Sequence, residues 1–294
     1  MSDWPFATVS IRRIRRPTAE AFKQEYFDSR QPVVIEGALD SWPALKRWSI
    51  AAFTVELGDQ TVVVYSSPDR YFPGGRERGL AGERPQDDGR RFERMKFAEF
   101  ARRLDQKTAR WHYLYQYPAS FLQQLMAGCD PPPYLPTNRK ATVNLWVGDA
   151  GCVTPTHFDQ ADNFFCQIQG EKEFLLFAPD QCDLLYPHGS DDLYSRQSRV
   201  FDLEFPDLER FPGVRNLRGL SARLGPGDLL FMPTFYWHSV HTRSRSISVN
   251  FFSIDEERYG PLIARWRAVV ADALALLPDD LSESMKAYVL RSLI

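Results

Sequence analysis

Val153-Thr154-Pro155-Thr156-His157-Phe158-Asp159, answered far downstream by Trp237-His238, is the stretch around which the chain is organised. Successive side chains of an extended strand point to opposite faces, so His157 and Asp159 project together while Phe158 faces away. An imidazole and a carboxylate side by side, joined by a second imidazole from a later strand, offer two nitrogens and one oxygen to one face of a metal. That donor set suits a non-haem Fe(II) centre, which keeps further coordination positions open. The expected ligands are therefore His157, Asp159 and His238. The chain has five histidines in all, so two of them at one expected centre is a concentrated use. His241, although close to His238, has neighbours that do not fit a ligand position and reads as a polar strand residue.

Around this stretch the pattern is one of short strands. Segments 142–148, 157–159, 163–169, 173–177, 229–232 and 246–252 are apolar or alternating and are separated by turn signals, including Gly225-Pro226-Gly227-Asp228. With no helix between them they predict a mainly β sandwich or barrel of jelly-roll type, not a doubly wound parallel sheet. Upstream, residues 8–17 read as one short strand with a basic face, and a helix opens at Pro17 and runs to about Phe27. A strand is expected at 31–37, a helix at 48–57, a strand at 61–65, an irregular segment at 66–91, a helix at 92–104 and an aromatic strand at 111–117. Pro131-Pro132-Pro133 marks a connection into the main barrel. The expected division is an N-terminal α/β elaboration at 1–140, a jelly-roll core at 141–254 and a helical pair at 255–294. The last two helices, with Leu262, Trp266, Val269 and Leu277 and then Leu281, Met285, Val289 and Leu293 at helical spacing, must cover their apolar faces against the barrel or a second copy.

Composition narrows the class. A chain of 294 residues with 44% hydrophobic and 25% charged residues fits a soluble globular protein with a substantial core. A net charge of −2 gives no overall basic field for nucleic acid. There is no apolar run of membrane-spanning length and no secretory signal after the N-terminal arginines, so no membrane partner and a cytoplasmic location are expected. Cys129, Cys152, Cys166 and Cys182 lack the spacing of a zinc ribbon or disulfide framework and read as small buried residues.

The metal motif, the following Asn163-Phe164-Phe165-Cys166-Gln167-Ile168-Gln169-Gly170-Glu171-Lys172, then Arg196-Gln197-Ser198, Asp202, the run 206–212, Gly225-Pro226-Gly227-Asp228 and Val249-Asn250-Phe251 together resemble the JmjC/cupin-type 2-oxoglutarate oxygenases, most of all their asparaginyl-hydroxylase branch. The N-terminal opening and the C-terminal helices are also similar to the tRNA hydroxylases of that group. The resemblance implies a double-stranded β-helix, Fe(II) bound by His157, Asp159 and His238, and 2-oxoglutarate as co-substrate. It implies that Lys172, Thr154 and Tyr113 bind the distal carboxylate, with Asn163 and Asn250 near the metal. Arg196 and Gln197 match positions that hold a target side-chain amide. The implied chemistry is hydroxylation of a protein or peptide side chain, coupled to conversion of 2-oxoglutarate to succinate, in a homodimer joined through the C-terminal helices. Departures lie on the strand before the metal motif, where Asn144 and Trp146 replace leucines, and at Tyr115, which replaces a glutamine. Trp146, with Phe252, is therefore expected to reshape the substrate pocket. Two other readings stand beside this one: a tRNA or nucleoside hydroxylase of the same group, favoured by the Arg12-Arg13-Ile14-Arg15-Arg16 run, and a non-catalytic metal-binding cupin.

Overall fold

Strands dominate wherever β-branched and aromatic residues cluster. The computed structural model describes residues 4–72, 89, 91–106, 109–121, 123–189, 195–262 and 264. In chain order the strands are β1 (Ala7–Ser10), β2 (Arg13–Arg15), β3 (Val33–Glu36), β4 (Thr61–Ser67), β5 (Arg91–Lys96), β6 (Trp111–Pro118), β7 (Ala141–Gly148), β8 (Val153–Phe158), β9 (Asp162–Gln169), β10 (Lys172–Phe177), β11 (Arg218–Leu224), β12 (Leu229–Met232), β13 (Trp237–Thr242) and β14 (Ser246–Ser253). One sheet runs β1-β11-β10-β13-β8, the other β2-β3-β12-β9-β14-β7-β6-β4-β5. From β7 onward the chain crosses between the two sheets, and wherever β7–β14 pair with one another they are antiparallel. This is the double-stranded β-helix the sequence predicts.

Alternation along each strand divides the buried residues among three cores. Phe165, Phe174, Leu230, Met232 and Val240 face inward between the sheets. Phe164, Cys166, Leu229, Phe231 and Val249 face outward from the larger sheet, where helices cover them with Phe22, Phe53, Phe97 and Phe100. Leu175, Phe177 and Trp237 face outward from the smaller sheet and meet Phe6, Leu185 and Val214. Because both faces are covered, β9 is buried from Asp162 to Ile168, its polar Asp162, Asn163 and Gln167 included. Cys129, Cys152 and Cys166 are buried free thiols and Cys182 is partly exposed.

Several local expectations are corrected. Segment 92–104 is not one helix: Arg91–Lys96 is a strand paired antiparallel with β4, and the helix is Phe97–Asp105. Phe97, Phe100 and Leu104 do share its buried face, but Met95 points into the core from the strand before it. Segment 8–17 is two strands, not one. β1 lies parallel to β11 in the smaller sheet and β2 parallel to β3 in the larger, with buried Ile11 at the crossing. The helix after Pro17 begins at Ala19, capped by the Thr18 hydroxyl, and widens into a π-helical turn at Lys23–Phe27. The expected loop at 66–91 has described ends, with Ser67 still in β4 and Arg91 already in β5; its middle, and the C-terminal helices beyond residue 262 apart from Ala264, lie outside the described residues. A helix does begin over residues 256–262. Among the described residues no helix is long and apolar enough to cross a membrane.

Asp162, at the start of β9, joins remote parts of the chain. Its carboxylate accepts bonds from Arg30, from Arg139 at 3.2 Å, and from the Thr234 backbone and hydroxyl at 2.9 and 2.8 Å. A 1% exposed carboxylate needs such partners, since burying a charge without them is costly. Near it, Phe231 is fully buried and its ring lies 5.1–5.7 Å from those of Phe22, Phe27 and Phe164. A Phe231→Ala variant is expected to lose about 3–5 kcal/mol of stability. In urea titrations this is read as a lower midpoint at an unchanged slope.

Candidate metal centre and its cavity

His157 lies on β8, with Asp159 just beyond that strand's end, and His238 lies on β13 directly opposite His157 in the antiparallel ladder. The pairing sets the two imidazoles side by side, with ring centroids 4.3 Å apart. Asp159 Oδ1 is 4.0 Å from His157 Nε2, and Oδ2 is 3.5 Å from His238 Nε2. The three donor atoms all lie within 4.8 Å of one another, the one such cluster among the described residues.

The backbone fixes which nitrogen each ring offers. His157 Nδ1 is 2.8 Å from the Pro155 carbonyl and His238 Nδ1 is 3.0 Å from the Tyr236 carbonyl. A carbonyl only accepts, so each Nδ1 carries the proton and each Nε2 presents its lone pair towards Asp159. Burial, reinforced by His238, pushes the His157 pKa down to about 4, so the ring stays neutral at physiological pH. The turn that leads into β13 is tied to the same place. The Phe235 N–H donates to the Asp159 carbonyl at 3.0 Å, and Phe235 holds a left-handed backbone, φ 70°. Two oriented imidazoles and one carboxylate fit Fe(II).

The centre opens into a cleft of about 830 Å³ including its mouth. Of the residues expected in the site, Tyr113, Trp146, Thr154, Asn163, Lys172, Arg196 and Gln197 all line this cleft with the three metal donors. Asn250 does not line it: fully buried, it sits behind the wall, hydrogen-bonded to Asn144, Trp146 and Asn163. Lys172 opens β10 and points inward, 1% exposed, opposite Leu224 and Thr242. Its ammonium donates to the Tyr113 hydroxyl at 2.6 Å and lies 5.2–5.8 Å from the Tyr113, Phe165 and Trp146 rings. No described carboxylate pairs with it, and burial lowers its pKa to about 7. An ammonium so placed fits the carboxylate of a dianionic co-substrate, which would restore its charge.

Arg196 and Gln197 reach the mouth because their segment adds a short bridge along β8. Gln197 pairs with His157, the Arg196 carbonyl accepts from the Phe158 N–H at 3.0 Å, and the Ser198 N–H donates to the Thr156 carbonyl at 2.9 Å. Burial lowers the Arg196 pKa to about 10, opposed by the charge of Asp159. His241, 4% exposed on β13, faces away from the metal donors: it meets Trp4 and lies 3.7 Å from Glu204.

Gln116 also lines the cleft and was missed in the sequence. The β6–β7 register shifts between Leu114 and Tyr117, and Gln116 sits in the bulge with φ 45°. Tyr113, Tyr115 and Gln116 thereby face the cleft while Leu114 and Tyr117 enter the outer core. A single strand's alternation carries no trace of such an insertion.

Residues 18–255 match the family model described as the cupin-like domain. The chain belongs to that family. It is 29% identical over 250 residues to a Xenopus tropicalis protein named lysine-specific demethylase 8, covering 83% of this chain and 53% of the relative. Over 265 residues it is 28% identical to a human protein named bifunctional peptidase and (3S)-lysyl hydroxylase JMJD7, covering 80% and 81%. An Arabidopsis thaliana protein named lysine-specific demethylase JMJ30 is 27% identical over 262 residues, covering 86% and 57%. The chain thus spans a little over half the length of the first of these relatives.

The neutral His157 has a consequence for acid stability. Its folded pKa lies below the ordinary value of 6.5, so between pH 6.5 and about 4 the unfolded chain binds a proton that the fold refuses. Stability of the metal-free protein is expected to fall as pH drops through that window. Urea denaturation at a series of pH values should show a shallower fall for His157→Gln.

Proposed function

We propose that the protein is an Fe(II)- and 2-oxoglutarate-dependent oxygenase that hydroxylates a protein or peptide side chain. The observation that carries this reading is the pairing of two features in one cleft: three oriented metal donors, and a buried ammonium with no described carboxylate partner. A cupin that only held a metal would have no use for the second feature, whose desolvation is costly.

In this reading His157, Asp159 and His238 hold iron, and Lys172, Tyr113 and Thr154 hold the distal carboxylate of 2-oxoglutarate. When bound, the metal and co-substrate supply dioxygen activation, with succinate and CO2 as co-products. The chain's own work is orientation and exclusion of water. Asn163 lies beside Asp159 on the metal side, Trp146 and Phe252 narrow the cleft, and Arg196 and Gln197 receive the target at the mouth.

The finer specificity proposed is for a neutral side chain, in particular an amide as in asparaginyl hydroxylases. The relatives quoted above bear lysine-directed names, yet among the described residues the sole carboxylate lining this cleft is Asp159, which the metal would engage. Arg196 adds a second positive charge to the cleft that Lys172 lines, so an incoming ammonium would meet two cations and, among the described residues, no acid besides Asp159 to receive it. Gln197 offers both a donor and an acceptor, which an amide can satisfy. The tRNA reading loses some support because two of its four arginines are paired within the chain. Arg13 pairs with Glu36 and Asp228 at 2.6 and 2.8 Å, and Arg16 lies 3.5 Å from Asp40.

Succinate release in the presence of iron, ascorbate and 2-oxoglutarate tests the class. Wild type should turn over, and His157→Ala and Lys172→Ala should each lose at least about a hundredfold; undiminished activity in either variant defeats the assignment. Since free Lys172 titrates near 7 and a bound dianion favours its charged form, 2-oxoglutarate affinity should weaken as pH rises from 7 to 9, with proton uptake on binding. Calorimetry in buffers of differing ionisation enthalpy reads both. Peptide panels presenting asparagine or lysine, scored by mass for one added oxygen, decide the side chain.

The proposal includes a homodimer held by segment 255–294. Sedimentation of the chain truncated after Asp255 should then give monomers where the full chain gives dimers.

A further inference from the structure

Behind the metal centre, one face of the larger sheet carries a run of buried side chains with a fixed hydrogen-bond direction. Asn144 and Asn250 are opposite one another in the β7–β14 ladder, and Trp146 and Asn163 lie diagonally from Asn250 on β7 and β9. All four are 8% exposed or less. Trp146 Nε1 donates to Asn250 Oδ1 at 2.8 Å and Asn144 Nδ2 donates to the same oxygen at 3.3 Å. Asn250 Nδ2 donates to Asn163 Oδ1 at 3.0 Å, and Asn163 Nδ2 points to Asp159 Oδ2 at 3.5 Å.

The direction of this chain has one origin. An amide can be turned end for end with little change of shape, so Asn250 and Asn163 could each present either an oxygen or an N–H to a neighbour. An indole N–H has no such freedom, because it only donates. It therefore requires Oδ1 of Asn250, which turns Nδ2 towards Asn163. Asn163 must answer with its oxygen, and that leaves its own N–H for Asp159. Turned the other way, Asn163 would set a carbonyl oxygen against a carboxylate in a buried site, where two acceptors repel.

We propose that Trp146, supported by Asn144, is a positioning residue. Its indole N–H sets the orientation of Asn250 and, through it, of Asn163, so that Asp159 receives a donor and is held for the metal. This gives Trp146 a task on the side facing away from the cleft, in addition to the wall its ring provides. It also explains why polar Asn144 and a tryptophan occupy a strand whose neighbouring positions, Leu145 and Val147, are apolar. The proposal rests on the reading of His157, Asp159 and His238 as metal ligands.

The experiment is anaerobic calorimetry of Co(II) binding to the full-length protein. Co(II) visible absorption serves as a second readout, and thermal melts of the metal-free forms establish that each variant is folded. Trp146→Phe keeps the ring and removes the donor, and combined with Asn144→Leu it is expected to weaken Co(II) about 10- to 100-fold and alter the Co(II) spectrum. Asn250→Leu should cost a similar factor, and adding Trp146→Phe to it should cost nothing more, because no amide remains to orient. Affinity within about twofold of wild type in Trp146→Phe/Asn144→Leu overturns the relay, as do losses that multiply in the Asn250→Leu background. Asp159→Ala separates the two levels. If it too binds Co(II) as wild type does, the ligand assignment has failed; if it loses the metal while the relay variants keep it, the relay alone has failed.

Discussion

Everything at the centre follows from one cross-strand register: His157 opposite His238 in the β8–β13 ladder. A slip of one residue would turn one imidazole to the outer face of the smaller sheet, among Phe177 and Trp237, and leave the other alone. The register is held from both sides. Phe158 and Trp237, the next pair in the ladder, pack edge to face at 4.7 Å on the outer surface. At the end of the ladder the Phe235 N–H ties the incoming turn to the Asp159 carbonyl. The same turn is fastened by Thr234 to Asp162, whose arginine partners, Arg30 and Arg139, lie 132 and 23 residues earlier in the chain. The metal donors are thus mounted on a frame whose parts are each fixed by burial or charge.

The cleft is lined by two cations, the buried Lys172 and the half-buried Arg196, and by one carboxylate among the described residues. Burying the Lys172 ammonium weakens the folded protein, since no described carboxylate pairs with it. It persists because the barrel around it is over-determined by three apolar cores. Functional sites commonly hold unfavourable features of this sort.

Much of the centre was legible from residue order. The i, i+2 spacing of His157 and Asp159 needs only a strand to bring them together, and the strand was evident from its apolar neighbours. Lys172 was named by resemblance; that it is buried depends on a register with Leu224 and Thr242 that a linear reading cannot supply. Segment 92–96 was misread because Phe92, Met95 and the helix behind them share an apolar spacing that fits either period. The split at Ile11 was hidden because both halves are short and extended, and sheet membership is decided by partners some 20 residues away for β2 and more than 200 for β1. Asn250 was expected in the cleft because it lies in a matching motif, but its amide is spent on Trp146, Asn144 and Asn163.

The bulge at Gln116 has a bearing on how this cleft can diversify. Ladder and pocket are counted separately there: β6 spends three residues, Leu114 to Gln116, before Tyr117 rejoins β7, and two of them face the cavity. Loss or gain of one residue at that point leaves the flanking pairs in step while adding or deleting a group beside the substrate. Selectivity in this scaffold can therefore drift through changes in chain length inside a strand, a route closed to any barrel whose strands keep strict count.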